Sequence, residues 1–336
     1  MKALALLSGG LDSSLALKMI KDQGVDVTAL HFTSPFCRCD GSKPCGFSAK
    51  EISALVNVEI KIKSADESYL EIIKNPRYGY GQNYNPCIDC RIYKFKSAKK
   101  IMEEINALSI VTGEVLGQRP KSQQRNTLFL IEKEAGLTGL IVRPLSAQLL
   151  PESIPEREKW IDRSKFLNIS GRGRSNQIKL AKTLSLKGFS CPAGGCLLTD
   201  PSFCKRIKDL LESNMFNLNT INLAKKGRYF KLSNNTKLFV GRNEQDNEIL
   251  KNLTKNSDII LTPSPLIPGP TGIIRSSTNI DTADIKTSAQ IIARYIAPLN
   301  PKTDVHIFNN INGKITPLEI ISSQLIDEQN LKLLQV

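Results

Sequence analysis

Histidine is almost missing from this chain: His31 and His306 are the only two in 336 residues. That scarcity disfavours metal sites with mixed cysteine and histidine donors, the zinc-finger pattern among them. No uninterrupted apolar stretch approaches the roughly 20 residues that a membrane-spanning helix needs, so no membrane partner is expected. Internal repeats and low-complexity tracts are missing too, which excludes repeat architectures. Residues 1–7 are too short for a signal peptide and run straight into a glycine loop, so a cytoplasmic location is expected. In that compartment the eight cysteines read as metal ligands or reactive thiols rather than disulfides. The apolar fraction of 40% and charged fraction of 23% are those of an ordinary globular protein, long enough for two or three domains with cores of their own.

Charge is the first thing present in excess. The formal net charge is +14, which suggests a polyanionic partner, most simply nucleic acid, although a lysine-rich solvated surface reads the same way. Most of the excess precedes residue 220, including Lys94, Lys96, Lys99, Lys100, Arg119, Lys121, Arg125, Arg172 and Arg174.

The most informative stretch is Ser8-Gly9-Gly10-Leu11-Asp12-Ser13-Ser14, set between a short apolar run and the amphipathic stretch that starts at Leu15. Adjacent glycines let the backbone turn tightly against an anion. The three hydroxyls and the unpaired N–H groups of a helix start complete a phosphate cradle. The loop lacks the lysine of a Walker sequence. A plain turn and helix cap would not need both glycines and three hydroxyls together.

Strand patterns at 25–32, 56–62 and 108–112 alternate with helical segments, and a short apolar strand ends at Arg143-Pro144-Leu145. Such alternation predicts an α/β domain, a parallel sheet with helices on both faces and ligands beyond the carboxyl ends of its strands. Ser8, His31 and Gly113 then face one crevice, where His31 either touches nucleotide or merely packs. A helix is expected over 176–184 and another over 200–213. From Lys226 the pattern changes to short strands, 228–232 and 237–241, joined by a turn, which predicts a separate small α+β domain. The expected division is a phosphate-loop domain over 1–150, a linker and cysteine-bearing region over 151–217, and a C-terminal domain over 218–336.

Cys87-Ile88-Asp89-Cys90 is a C-x-x-C pair at a turn, with a helix expected over 91–104. Cys191 and Cys196 follow about a hundred residues later on a Pro/Gly-rich loop, so a site assembled from distant segments is expected. Cys37, Cys39 and Cys45 form a third set close to the expected ATP crevice. Three readings stay open: an iron–sulfur cluster on three cysteines with one open iron, zinc on four thiolates, or a persulfide or disulfide pair.

The Ser-Gly-Gly-Leu-Asp-Ser pattern resembles the PP-loop of the ATP pyrophosphatases. Thr112-Gly113-Glu114-Val115-Leu116-Gly117-Gln118, followed by Arg119, Lys121, Ser122 and Gln123, resembles the corresponding run of the tRNA 4-thiouridine synthase family (ThiI). Asn85-Pro86-Cys87-Ile88-Asp89-Cys90 and Gly194-Gly195-Cys196-Leu197-Leu198 resemble the two cysteine positions of the tRNA 2-thiouridine synthases (MnmA-like) and related cluster-dependent enzymes. The resemblance spans roughly residues 1–210. No THUMP-like tRNA-binding domain precedes the loop. The tail, with Lys226-Gly227-Arg228-Tyr229-Phe230 and Phe239-Val240-Gly241-Arg242-Asn243, resembles an NFACT-type RNA-binding domain, with Arg228 and Arg242 expected to reach phosphate.

The resemblance implies ATP-dependent tRNA sulfurtransfer: a uridine carbonyl is adenylated and its oxygen replaced by sulfur from a sulfide or persulfide donor. It implies that Ser8, Gly9, Gly10, Asp12, Ser13 and Ser14 hold ATP's departing pyrophosphate, with Asp12 orienting Mg²⁺ or a hydroxyl, and that Gly113 and Glu114 border the adenylate. Cys87, Cys90 and Cys196 would ligate a cluster of the 4Fe-4S kind, with Cys191 the rival third ligand and zinc the alternative metal. Asp12, Cys87 and Cys196 are the expected catalytic residues. The alternatives are an amidotransferase-like PP-loop ligase, which would need no thiols at the acceptor site, and a non-enzymatic cluster-bearing RNA-binding protein. Oligomeric state is left open.

Overall fold

The computed structural model describes residues 1–38, 46–189, 195–296 and 302–336, and the chain divides into two compact units, Met1–Thr199 and Asp200–Val336. The helix expected over 200–213 therefore belongs to the second unit rather than to the region before it.

In the first unit, strands β1 (Lys2–Leu6), β2 (Asp26–Thr33), β3 (Glu59–Ser64), β4 (Ser109–Thr112) and β5 (Ile141–Val142) lie in the order β3-β2-β1-β4-β5, and every pairing is parallel. The expected parallel sheet is present. Its third strand starts later than the apolar alternation suggested, because Val56 caps the preceding helix and Asn57 adopts a left-handed conformation (φ 51°). The helices are α1 (Leu11–Lys21), α2 (Phe47–Leu55), α3 (Glu67–Lys74), α4 (Cys87–Glu104), α5 (Arg125–Ala135), the short α6 (Ile154–Arg157) and α7 (Ser175–Thr183). One core joins β1 and β2 to α1, α2 and α7 through Leu11, Leu15, Ile52 and Ala181. Another joins Leu4, Leu30 and Ile110 of the sheet to Ile88, Phe95 and Met102 of α4 and Ile131 of α5. Helices thus cover both faces. Strand order reverses between β1 and β4, and all carboxyl ends share one edge, so the loops after β1 and β4 meet at the crevice where ligands bind in such sheets.

The second unit holds α8 (Pro201–Glu212), α9 (Leu218–Lys225), β6 (Arg228–Lys231), β7 (Thr236–Val240), α10 (Glu244–Asn252), β8 (Ile259–Pro263), β9 (Gly272–Ser276), α11 (Thr282–Arg294), β10 (Lys302–Ile311), β11 (Lys314–Gln324) and α12 (Glu328–Leu334). Its strands form an antiparallel sheet in the order β11-β10-β8-β9-β7-β6. Ile285, Ala289 and Ile292 of α11 and Leu331 of α12 pack with Leu238, Leu261, Ile274 and Val305. A polar group is buried against β6 and β7: Asp209 of α8 accepts the Tyr229 hydroxyl and pairs with Lys237 at 2.8 Å and Lys231 at 3.1 Å. Lys237 is fully buried and also donates to the Ser233 and Asn234 carbonyls, so its charge is matched on all sides.

Candidate functional site

Gly9 has φ +77° and Gly10 starts α1 with no side-chain cap. Among the described residues no side chain caps the N–H groups of the first helical turn, an arrangement that suits an anion together with the helix dipole. Ser8 is exposed; its hydroxyl meets that of Ser13 at 2.9 Å, and its N–H donates to Ser13 Oγ at 3.1 Å. Ser14 differs: it is fully buried and its hydroxyl donates to the Gly10 carbonyl at 2.9 Å, so it shapes the loop from within. Gly113 follows β4 and lies so close to α1 that a Cβ there would stand 2.4 Å from Ser13 N and 2.5 Å from the Asp12 carbonyl carbon.

Two further residues named for the crevice are buried. His31 is buried and donates from Nδ1 to the Leu7 carbonyl at 2.8 Å, while its Nε2 has no hydrogen-bond partner among the described residues. Glu114 turns inward: it pairs with Arg143 at 3.0 Å and Arg91 at 3.2 Å, and Arg143 also pairs with Glu132. With Glu114, Glu132 and Arg143 all nearly excluded from water, this network fixes the 113–118 loop to α4 and α5.

A set of polar groups missed in the sequence gathers around Asp12. Ser170 pairs with Leu116 in a parallel bridge, with Gly171 N donating to the Leu116 carbonyl at 2.8 Å, and α7 packs on α1. This brings Arg174 to 3.8 Å from Asp12. Among the described residues, Asp12 Oδ1, Gln118 Nε2, Arg174 Nε and both amide atoms of the fully buried Gln177 are buried with no hydrogen-bond partner in good geometry. Arg119 lies within charge range of Arg174, Arg91 and Asp12. Burial pushes the Asp12 carboxyl up, against the lowering effect of Gln118, Arg174, Gln177 and Arg119. Buried polar atoms left unpaired beside a phosphate cradle fit a site completed by a charged ligand. The signal available in the sequence was Arg174 and Gln177 at i, i+3, one helical turn apart.

The thiols converge from three segments at the same sheet edge. Cys87 and Cys90 lie in the first turn of α4, whose N-cap is Pro86, rather than on a turn before it, so they share one helix face. Cys37, after β2, bridges backbone to backbone with Cys196, and Leu197 N donates to the Phe36 carbonyl at 2.8 Å. Tyr69, buried against Phe36, donates its hydroxyl to Cys90 Sγ at 3.0 Å, and burial followed by the nearby Cys90, Cys196 and Cys37 holds that hydroxyl well above its ordinary value. Burial raises the Cys87 thiol and pushes that of Cys196 up to about 12, so both stay protonated unless a cation displaces the proton. Among the described residues no three Cys, His, Asp or Glu side chains are preassembled to hold a metal; Cys191, Cys39 and Cys45 lie outside those residues. The donor chemistry, the thiols of Cys37, Cys87, Cys90 and Cys196, suits a thiophilic centre.

The tail arginines are engaged within their own unit. Arg228 donates to the Gly241 carbonyl at 3.2 Å and lies 4.1 Å over the Tyr295 ring, while Arg242 donates to the Gly227 carbonyl at 2.6 Å. The two Gly-Arg steps thus staple each other through one guanidinium nitrogen each, and Arg242 remains exposed. None of the helices among the described residues is long and apolar enough to cross a membrane.

Comparison with known proteins agrees with both halves of this picture. Residues 1–152 match the family model for thiamine biosynthesis protein (ThiI). Residues 227–328 match the NFACT protein RNA binding domain, so the resemblance read from the motifs holds on both segments. The ThiI segment is similar to a probable tRNA sulfurtransferase of Bacillus pumilus, 31% identical over 146 residues, which is 44% of this chain and 35% of that protein. It is also similar to a probable tRNA sulfurtransferase of Methanothermobacter thermautotrophicus, 32% identical over 119 residues, 35% of this chain and 30% of that protein. The chain thus spans about a third of the length of these curated relatives. A crystal structure of a 4-thiouridine synthetase–RNA complex with bound ATP overlaps 67% of this chain and 52% of its own, at 22% identity and a TM-score of 0.39.

Proposed function

We propose that this protein is a cytoplasmic ATP-dependent tRNA sulfurtransferase that adenylates a uridine carbonyl oxygen and replaces it with sulfur. One juxtaposition carries the reading. A phosphate loop closed by Gly113 and a group of cysteine thiols, Cys37, Cys87, Cys90 and Cys196, share the carboxyl edge of one parallel sheet. ATP activation alone would not call for thiols, and thiol chemistry alone would not call for the loop. The similarity of the ThiI segment to probable tRNA sulfurtransferases supports the same reaction, and the NFACT match supports RNA as the substrate.

In this reading the uridine oxygen attacks the α-phosphorus of ATP and the bond to pyrophosphate breaks. The first-turn N–H groups of α1 and the Ser8 and Ser13 hydroxyls hold the leaving pyrophosphate. Asp12 would hold Mg²⁺, which would supply positive charge to the separating phosphates, and Arg119 and Arg174 balance the remaining negative charge. Sulfur then attacks the activated carbon, and the oxygen leaves with AMP. Cys87, Cys90 and Cys196, or Cys191 as the third ligand, would hold a 4Fe-4S cluster. When bound, such a cluster supplies an open iron site for hydrosulfide.

The test is anaerobic purification followed by incubation with ATP and bulk tRNA. Pyrophosphate release dependent on tRNA, together with thiouridine detected by mass spectrometry of the nucleosides, is expected. Pyrophosphate release without thiolated nucleoside would reassign the enzyme to another PP-loop reaction. Iron retained by the wild type and lost in Cys87→Ser and Cys90→Ser supports the ligand set; stoichiometric zinc after anaerobic reconstitution would overturn it.

A further inference from the structure

At one edge of the second unit's sheet, β10 and β11 form a long hairpin closed by Asn312 and Gly313. Val305 and Ile307 of β10 are buried in the core that includes α11. Strand alternation puts His306 and Phe308 on the opposite face, where the register pairs His306 with Ile320 and Phe308 with Pro317. A bulge between these pairs leaves Leu318 without a partner opposite. Ile320 is 61% exposed, Leu318 46% and Ile315, opposite Asn310 on the same face as His306 and Phe308, 51%. Contiguous apolar exposure of this kind marks an interaction surface.

The aromatic pair points to the kind of partner. The His306 and Phe308 rings are 6.5 Å apart between centroids and only 22° from parallel. That is the spacing of alternate residues on one strand face, two rises of about 3.3 Å each, so two aromatic rings of similar tilt stand side by side on this face. Both side chains remain partly exposed. Thr262, directly beside His306 on β8, and the exposed Ser322 and Gln324 on the same face of β11 offer hydrogen bonds. Lys302 and Lys314 stand exposed at the two ends of the hairpin, and Lys255 is exposed in the turn whose Asn256 bonds Asn312 at 3.2 Å. Asp304, on the same face of β10 as Lys302, is the opposing charge.

We propose that the His306–Phe308 face of this hairpin is a stacking platform for unpaired nucleobases of an RNA, with Ile320 and Leu318 as its apolar margin and Lys302, on the same face, taking phosphate. The inference rests on the reading that the chain binds tRNA, and it names which surface meets single-stranded segments. Stacking accepts any base, whereas a duplex keeps its base faces occupied. The platform therefore selects loops and ends.

The test uses the full chain and a labelled single-stranded oligoribonucleotide of about 12 nucleotides, with affinity read by fluorescence anisotropy at fixed ionic strength. Phe308→Ala should weaken binding by about 5- to 100-fold and His306→Ala by a smaller factor, with thermal melting checking that each variant is folded. Phe308→Trp in a Trp160→Phe background should keep the affinity and lose indole fluorescence on RNA addition, a readout that does not depend on the alanine variants folding. Wild-type affinity in Phe308→Ala, or unquenched Phe308→Trp, would overturn the platform while leaving tRNA binding intact. If the wild type binds neither the oligonucleotide nor tRNA, the tRNA reading itself fails. Self-association lost in Phe308→Ala with RNA affinity unchanged would reassign the face to contact between copies of the chain.

Discussion

Gly113→Ala is a sharp test of the phosphate site, because its consequence can be worked from the backbone alone. Thr112 is held in register beside Leu6 by the β1–β4 pairing. An added Cβ at position 113 would stand 2.4 Å from Ser13 N, 2.5 Å from the Asp12 carbonyl carbon and 2.6 Å from its oxygen. All three neighbours are main-chain atoms, so no side chain can rotate away. Either the loop after β4 or the first turn of α1 must move by about 1 Å, and α1 is anchored by the buried Leu11, Leu15, Leu17 and Ile20. Overpacking of this kind costs about 1–3 kcal/mol, which for a unit of this size lowers the melting temperature by about 3–10 °C. The loss of activity should be larger, since the displaced atoms are the N–H groups meant for pyrophosphate, and a misplacement of about 1 Å costs about 100-fold in rate. Gly173→Ala is the control: nothing lies within 4 Å of its added Cβ, so stability should be unchanged or raised by about 0.4–1 kcal/mol. Thermal denaturation and tRNA-dependent pyrophosphate release decide the matter. A Gly113→Ala protein that melts and turns over like the wild type would refute both the close approach and the place of Gly113 in the site.

Asp12→Ala and Ser13→Ala should abolish pyrophosphate release while leaving the melting curve near that of the wild type; normal release from both would reduce the loop to a helix start. Arg143→Met should lose about 3–5 kcal/mol in denaturant unfolding, because it strands Glu114 and Glu132 in a dry interior. Substituting both carboxylates by glutamine in the same protein should recover part of that loss, and an unaltered unfolding midpoint in the single variant would contradict the network. Burial pushes Asp209 up, but hydrogen bonds from Lys237, Tyr229 and Lys231 outweigh it and hold the carboxyl below the usual range. Its contribution is thus complete above the unfolded value of about 3.9 and fades as pH falls through the lower folded value. Thermal melts between neutral pH and about pH 3 should show this acid sensitivity reduced in Asp209→Asn; identical pH profiles for the two proteins would count against it.

The sequence by itself determined the local devices. The strand, two-glycine turn and helix of residues 2–21 follow from apolar period and glycine freedom, and so do the short strand ending at Thr112 and the hairpin of β6 and β7. Alternation of strands with helices determined the parallel sheet and which edge would carry loops. The C-x-x-C pair and the later Gly-Cys loop marked thiols that belong together, and the motif pattern marked the ThiI and NFACT resemblances. What local pattern cannot carry is which distant charges and faces meet. Only tertiary structure turned Glu114 inward onto Arg143, because two helices and a strand end must close around it before the pair is shielded from water. Only packing of α7 on α1 brought Arg174 and Gln177 to Asp12, across some 160 residues of chain. The Cys37–Cys196 bridge, the reciprocal hydrogen bonds of Arg228 and Arg242, and the ring spacing of His306 and Phe308 have the same origin. Each depends on backbone positions fixed by elements remote in sequence, where long-range register and burial decide which side chains become neighbours.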